Sequence, residues 1–186
     1  MAKYYNGDYL FIKTPDMHAN MFVFETEETL TEEGLKSQQS QKIPKNSICV
    51  SCVGTGGVVS ITTGTCQTNQ QINTVVLREE SDLEWIFFTL RNLKETIKLF
   101  GATCTTMTDL SKGKFSSIKI LLPYSQLREA YHDTVNPIFD QTRTLVLSNS
   151  ILEKTRNLFL PRLLSGKLSV ENLDIRFTPG MEDADA

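Results

Sequence analysis

Within the stretch from Tyr124 to Gly166, an apolar row and a second, partly polar row alternate in steps of four and three. Ile138, Leu145, Leu152 and Phe159 fall seven residues apart, and Thr142, Asn149, Arg156 and Leu163 each follow one of them by four. The mean period of about 3.5 is that of a coiled-coil seam, not of an ordinary amphipathic face. At about 1.5 Å of rise per residue, roughly 40 residues make a rod of roughly 60 Å, which needs a second helix to cover its stripe. Polar Thr142, Asn149 and Arg156 weaken the packing of such a seam but set its register and orientation. Pro137 either kinks the helix or marks its first turn, leaving Gln126–Asn136 as a separate helical piece.

Ahead of the rod the pattern changes to short β-branched runs punctuated by turns. Tyr4-Tyr5 lead into the turn dipeptide Asn6-Gly7, followed by a strand over Asp8–Lys13 that Thr14-Pro15-Asp16 closes. Residues 25–34 (ETEETLTEEG) read as a short acidic helix capped by Thr26 and ending near Gly34, with Glu27, Glu28, Glu32 and Glu33 as a solvated face. After a turn at Ile43-Pro44-Lys45-Asn46, strands are expected over Ser47–Val53, Val58–Thr62 and Asn73–Leu77. The tight turn Gly54-Thr55-Gly56-Gly57 and the loop Thr65–Gln71 separate them. Ser81–Phe100 reads as one helix: Ser81 with Glu84 fits a capping box, Leu83, Ile86, Phe87, Leu90, Leu93, Ile97 and Phe100 form its apolar face, and Gly101 closes it. Ala102–Met107 then leads to Asp109-Leu110, a basic turn Lys112-Gly113-Lys114, and a last strand Phe115–Leu122 stopped by Pro123.

Composition narrows the picture. The chain has 186 residues, 40% of them hydrophobic, enough for one globular domain plus an extension or for two small domains. Its formal net charge is −3, and residues 1–124 carry 12 Lys+Arg against 13 Asp+Glu. Glu182, Asp183 and Asp185 make the extreme end acidic. Any binding of nucleic acid must therefore rest on a local patch and specific contacts, not on the field of the whole chain. The pair Cys49-Val50-Ser51-Cys52 has no second pair to complete a zinc site, since Cys66 and Cys104 stand alone, and in a strand Cys49 and Cys52 point to opposite faces. Free buried or half-buried thiols are the reading. No signal peptide and no apolar run of about 18 residues is found, so the chain reads as soluble and cytoplasmic.

Catalytic chemistry finds little purchase. His18 and His132 are the only histidines and lie far apart in sequence. No Ser/His/Asp or Cys/His pattern, metal cluster or methyl-donor glycine motif is present. Gly54-Thr55-Gly56-Gly57 lacks the Lys-Ser/Thr of a P-loop and the third glycine of a dinucleotide fingerprint, and a hairpin turn accounts for it. Recognition chemistry is better represented. In Cys66-Gln67-Thr68-Asn69-Gln70-Gln71 the amides offer donor–acceptor pairs that match adenine in a major groove, or else form a buried hydrogen-bonding hub, with at least one of them bracing the backbone. Lys36, Ser37, Gln38, Gln39 and Ser40 suit phosphates and base edges, or simply a polar surface loop. Tyr4 and Tyr5 either stack on a base or sugar or pack against the strand, and Lys112 and Lys114 are either phosphate contacts or turn lysines.

The matching stretches YYNGDYLFIKTPDM, IPKNSICVSCVGTGGVVSITTGTCQTNQQINTVV, GATCTTMTDLSKGKFSSIKILLPYSQLREAY and NLFLPRLLSGKLSV, spread over residues 4–170, carry a family resemblance. The chain resembles the target recognition domain and helical spacer of a type I restriction–modification specificity subunit. That resemblance implies an α+β fold: a β-rich recognition domain over residues 1–123, a helical spacer over 124–166 forming an antiparallel coiled coil, and a tail over 167–186. It implies a non-catalytic subunit with no cofactor or metal that reads double-stranded DNA and docks modification (methyltransferase) and restriction subunits. The candidate DNA contacts are Tyr4, Tyr5, Lys13, Lys36, Gln38, Thr55, Thr68, Asn69, Gln70, Lys112 and Lys114. Two such chains, or this chain and another half-subunit, would pair antiparallel and place readers at opposite ends of the rod, facing a bipartite site, while the far end, Leu160–Gly166, docks partner subunits. Full specificity subunits resemble two such units in tandem, so this chain resembles a half-subunit or the second half of a longer gene, and the strand-forming segment that usually precedes YYNG is not seen. The competing class is an interaction module that dimerises through the helix without touching DNA.

Overall fold

The computed structural model describes residues 2–101 and 108–169; the segment 102–107 with Cys104, and the acidic cluster at Glu182, Asp183 and Asp185, lie outside them. Strand β1 (Tyr5–Ile12) starts earlier than expected, because Asn6-Gly7 is a bulge within it and not a turn before it. Tyr5 and Tyr9 both lie opposite Leu30, and Asn6 absorbs the extra length with a φ of 65°. A Cβ on Gly7 would meet the backbone of Leu30 and Thr31 at 2.5 to 2.8 Å, so only glycine fits there. A 3₁₀ turn over Thr14–Met17 follows, then β2 (Phe22–Val23) and β3 (Glu28–Leu30). The acidic helix begins later than its composition suggests: α1 spans Glu32–Ser37, capped by Thr31, whose hydroxyl accepts from the Gly34 amide at 3.1 Å. Thr26 instead donates to the Glu28 carbonyl at 2.6 Å, and residues 28–30 are taken into pairing with β1. Gly34 lies buried inside α1, where a Cβ would run into the Tyr4 carbonyl.

Three strands of the central region fall on the expected β-branched runs, β4 (Ile48–Ser51), β6 (Val59–Thr62) and β8 (Ile72–Val75), with β5 (Val53–Gly54) after β4. Strand β7 (Cys66–Thr68) forms within the expected loop Thr65–Gln71, because it pairs with β1. Gly54 and Gly57 turn the chain at φ 73° and 82°, as a hairpin through that glycine run requires. The helix expected over Ser81–Phe100 is two helices, α2 (Leu83–Asn92) and α3 (Lys94–Gly101), parted at Leu93. The Leu93 amide shares its hydrogen bond between the Thr89 and Leu90 carbonyls, at 3.1 and 3.2 Å, and its own carbonyl opens α3. The junction abuts the glycine turn, since a Cβ on Gly57 would lie 2.8 Å from Lys94. The Ser81/Glu84 capping box does not form: Ser81 sits in a 3₁₀ turn, Glu80–Asp82, and Glu84 is fully buried.

β9 (Thr108–Asp109) pairs with β5, and α4 (Lys112–Ser116) is capped by Ser111. The basic segment is thus the first turn of a helix, and no strand forms over Phe115–Leu122: the Ser111 hydroxyl and the Ser117 amide close a helical turn there. The long helix α5 spans Ser125–Leu164 and runs through Pro137 without interruption, so Pro137 neither divides it nor starts it. Pro137 is exposed, which lets the carbonyl it cannot pair face water.

The strands form sheets of order β3-β1-β7 and β2-β6-β4-β8, with β5-β9 as a small ribbon. Strand β4 is covered on both faces, and the period of two divides its side chains. Cys49 joins Ile12, Met17, Val23, Ile43, Cys66 and Ile72 in one core, while Ile48, Val50 and Ile61 join Phe22, Leu83, Phe87, Leu90 and Phe139 in another. The three described thiols are buried and free, as the spacing argument expected. The chain divides into two compact units, Met1–Val146 and Leu147–Ala186. Within the first, α5 is anchored by Phe139, whose ring lies edge-on to Phe22, Phe87 and Phe88 at 5.7 to 6.0 Å. Within the second, the described helix stops at Leu164 and Gly166 turns the chain at φ 67°.

Candidate nucleic-acid interface

A cleft of about 1220 Å³ opens in the first unit between the start of β1, α1 with the turn after it, the loop joining β7 to β8, and α4. Seven of the eleven candidate residues line it: Tyr4, Tyr5, Gln38, Thr68, Asn69, Gln70 and Lys112. They come from four separate segments, and sheet pairing brings them together. Parallel pairing of β1 with β7 sets Ile12 beside Thr68, and the Asn69 amide donates to the Ile12 carbonyl at 3.1 Å. The Tyr4 carbonyl accepts from the Thr31 amide at 2.9 Å, and Gly34 admits the Tyr4 backbone against α1.

The charged residues of the described lining are lysines. Among the described residues, Lys42 and Lys112 line the cleft, neither engaged in an ion pair, and no Asp or Glu does. In a chain of net charge −3, a cleft whose described lining carries lysines and no carboxylate is an arrangement that admits an anion. Lys112, Phe115 and Ser116 reach it together because they share one face of α4 at helical spacing.

The remaining four candidates are elsewhere. Lys114 is off that face of α4. Lys13 is held 2.5 Å from Glu28, and that hydrogen bond raises the pKa of the ammonium. Lys36 pairs with Glu32 at 2.6 Å one helical turn away, again with a raised pKa caused first by that hydrogen bond. Thr55 is exposed at the glycine turn, its carbonyl accepting from the Ser51 hydroxyl at 2.6 Å. Cleft residues that residue-type reasoning passed over include Lys42 and Gln41, beside the polar run 36–40 that it did single out.

The amide cluster divides by role. Gln67 is buried, and its Nε2 donates to the Leu35 and Gln38 carbonyls at 2.9 and 3.1 Å, tying one wall of the cleft to the sheet. Asn69 holds the loop by accepting from the Gln71 amide at 3.1 Å and donating to its side chain at 3.3 Å. Asn73 donates to Cys52 Sγ at 3.0 Å. Away from the cleft, two polar contacts lock α5 to α2: Arg128 pairs with Asp82, and His132 Nδ1 lies 2.7 Å from Glu84 Oε2. Glu84 is therefore a buried partner for His132, which sequence spacing left without one.

The sequence matches a known family. The profile of the type I restriction modification DNA specificity domain matches residues 2–139, and the chain belongs to that family. It is 34% identical over 168 residues to the HindI type I restriction enzyme specificity subunit of Haemophilus influenzae, a match that takes in 89% of this chain and 37% of that subunit. Its fold is similar to that of the type I restriction–modification S subunit of M. genitalium, at a TM-score of 0.55 and 15% identity, over 87% of this chain and 43% of that one. The chain spans less than half the length of either relative. Among the described residues, no helix is long and apolar enough to cross a membrane, and no group of three or more His, Cys, Asp or Glu is placed to hold a metal ion.

Proposed function

We propose that the chain reads duplex DNA sequence-specifically through this cleft, as a non-catalytic specificity subunit of a type I restriction–modification system. The observation that carries the reading is a cleft with two unpaired lysines and no carboxylate among its described lining residues, lined also by amides and aromatics, in a chain of net charge −3. Lysines supply the phosphate contacts that position a duplex, and the amides supply the donor–acceptor pairs that distinguish base edges. Tyr4, Tyr5, Gln38, Thr68, Asn69, Gln70 and Lys112 are the contact set in this reading, with Lys13, Lys36, Thr55 and Lys114 outside it.

Residues 1–123 act as the recognition domain, 124–166 as the spacer and 167–186 as a tail. Two rods pair antiparallel, in a homodimer or with another half-subunit, through Ile138, Thr142, Leu145, Asn149, Leu152, Arg156, Phe159 and Leu163. Ile138, Leu145, Leu152, Phe159 and Leu163 are all exposed in the single chain, which supports a seam that a second helix covers. The paired readers address a bipartite site and position methyltransferase and endonuclease subunits there, in the cytoplasm where that DNA lies. Binding to random-sequence duplexes tests the reading: affinity should fall steeply with salt, with a log–log slope of about −0.9 per phosphate contacted. Absence of binding to any duplex at low salt, alone and with modification subunits, would leave a helix-mediated interaction module as the function.

A further inference from the structure

Within that cleft the hydrogen-bonding groups are not equivalent. On the loop between β7 and β8, Gln67, Asn69 and Gln71 all use their side chains to hold the fold, through the bonds described above. Gln70 does not: it is exposed at the loop tip, lines the cleft, and its amide makes no hydrogen bond among the described residues. Its backbone is nonetheless fixed from both sides. The Asn69 amide donates to Ile12, the Ile72 amide to the Asn69 carbonyl at 3.3 Å, and the Cys52 amide to the Gln71 carbonyl at 2.8 Å. A side chain discriminates between bases only if the backbone that carries it is held, and here the neighbouring amides hold it. Gln38 and Gln41 on the facing wall also present amides to the cleft, but they bound the 3₁₀ turn Gln39–Gln41, which the Gln67 side chain ties to the sheet from one side.

Resting on the DNA reading above, we infer that Gln70 is the residue of this cleft that reads a base, and that the base is an adenine presented in the major groove. A glutamine amide donates to N7 and accepts from N6 of adenine as one bidentate pair, and no other base offers that acceptor–donor order on one edge. Asn69 and Gln67 are positioning residues that hold the reader in place without touching the base.

The test is selection from a random-sequence duplex library by the full chain, alone and with co-expressed modification subunits, for the native protein, Gln70→Ala and Gln70→Glu. The native protein should enrich a site containing an adenine at which Gln70→Ala loses roughly 5- to 150-fold of discrimination, with the other positions unchanged. Gln70→Glu should shift that position toward cytosine, whose amino group a carboxylate accepts from, a change that a purely structural role would not produce. Because Gln70 is exposed, both variants should melt with the native protein. An unchanged site in Gln70→Ala, or a loss confined to a position other than adenine, overturns the inference and leaves DNA recognition standing. No enrichment by the native protein in either form overturns the DNA reading itself, and this inference with it.

Discussion

Lys112 and Lys114 are two residues apart in the same short helix, yet one lines the cleft and the other does not. Lys112→Ala should therefore make the salt dependence of DNA binding shallower by about 0.9 in log–log slope, while Lys114→Ala leaves it unchanged, as titrations at several salt concentrations would show. The buried Glu84 depends on His132 in the same single-residue way. His132→Ala should cost on the order of 3 kcal/mol in urea unfolding, because it leaves a desolvated acid without its partner, and Glu84→Met with His132→Leu should regain most of that. Burial also pushes the Cys49 thiol up, from 9.0 to about 11, and raises that of Cys66 further. Above pH 9.0 the unfolded chain then loses the Cys49 proton before the folded chain does, so stability falls as pH rises from that value to about 11. The slope is up to about 1.4 kcal/mol per pH unit for each such thiol, and thermal melts of Cys49→Ala over that range should show a flatter decline.

At the scale of elements, what could be read in advance depended on how local the cause was. The long helix and the β-branched strands around Gly54 and Gly57 follow from periodicity and turn chemistry, both written in neighbouring residues. The departures all have distant causes. Glu28–Leu30 joins a sheet because β1 lies alongside, although its composition is helical. The α2–α3 break at Leu93 sits where a glycine turn from another part of the chain abuts Lys94. Glu84 leaves its capping role because a histidine 48 residues on faces it. The cleft shows a similar division: its residue types were legible, but Lys13 and Lys36 lie outside it, each paired with a glutamate, Glu28 and Glu32. α5 carries two kinds of apolar position, and they should respond differently. Phe139→Ala, inside the aromatic cluster, should cost about 3–5 kcal/mol in denaturant unfolding. Leu145→Asp with Leu152→Asp, both exposed in the single chain, should barely change that stability yet turn dimers into monomers in sedimentation. A dimer that persists would remove the seam.

For the whole molecule, the paired rod proposed above would make length a determinant of what is recognised. One heptad inserted between Ser148 and Asn149 keeps the seam in phase and lengthens the rod by about 10.5 Å, so the two halves of the preferred site should move apart by about 3 base pairs. Selection from a duplex library with the lengthened chain would measure that spacing. The cleft has a kinetic consequence as well. In the reading proposed above, duplex DNA approaching a chain of net charge −3 is repelled on average, and the cleft with Lys42 and Lys112, with no carboxylate among its described lining residues, is where it would be admitted. Most collisions would then be rejected by orientation before any base edge is inspected. The net negative charge of the chain would become a filter on encounter, making capture slow and salt-sensitive and misoriented complexes short-lived.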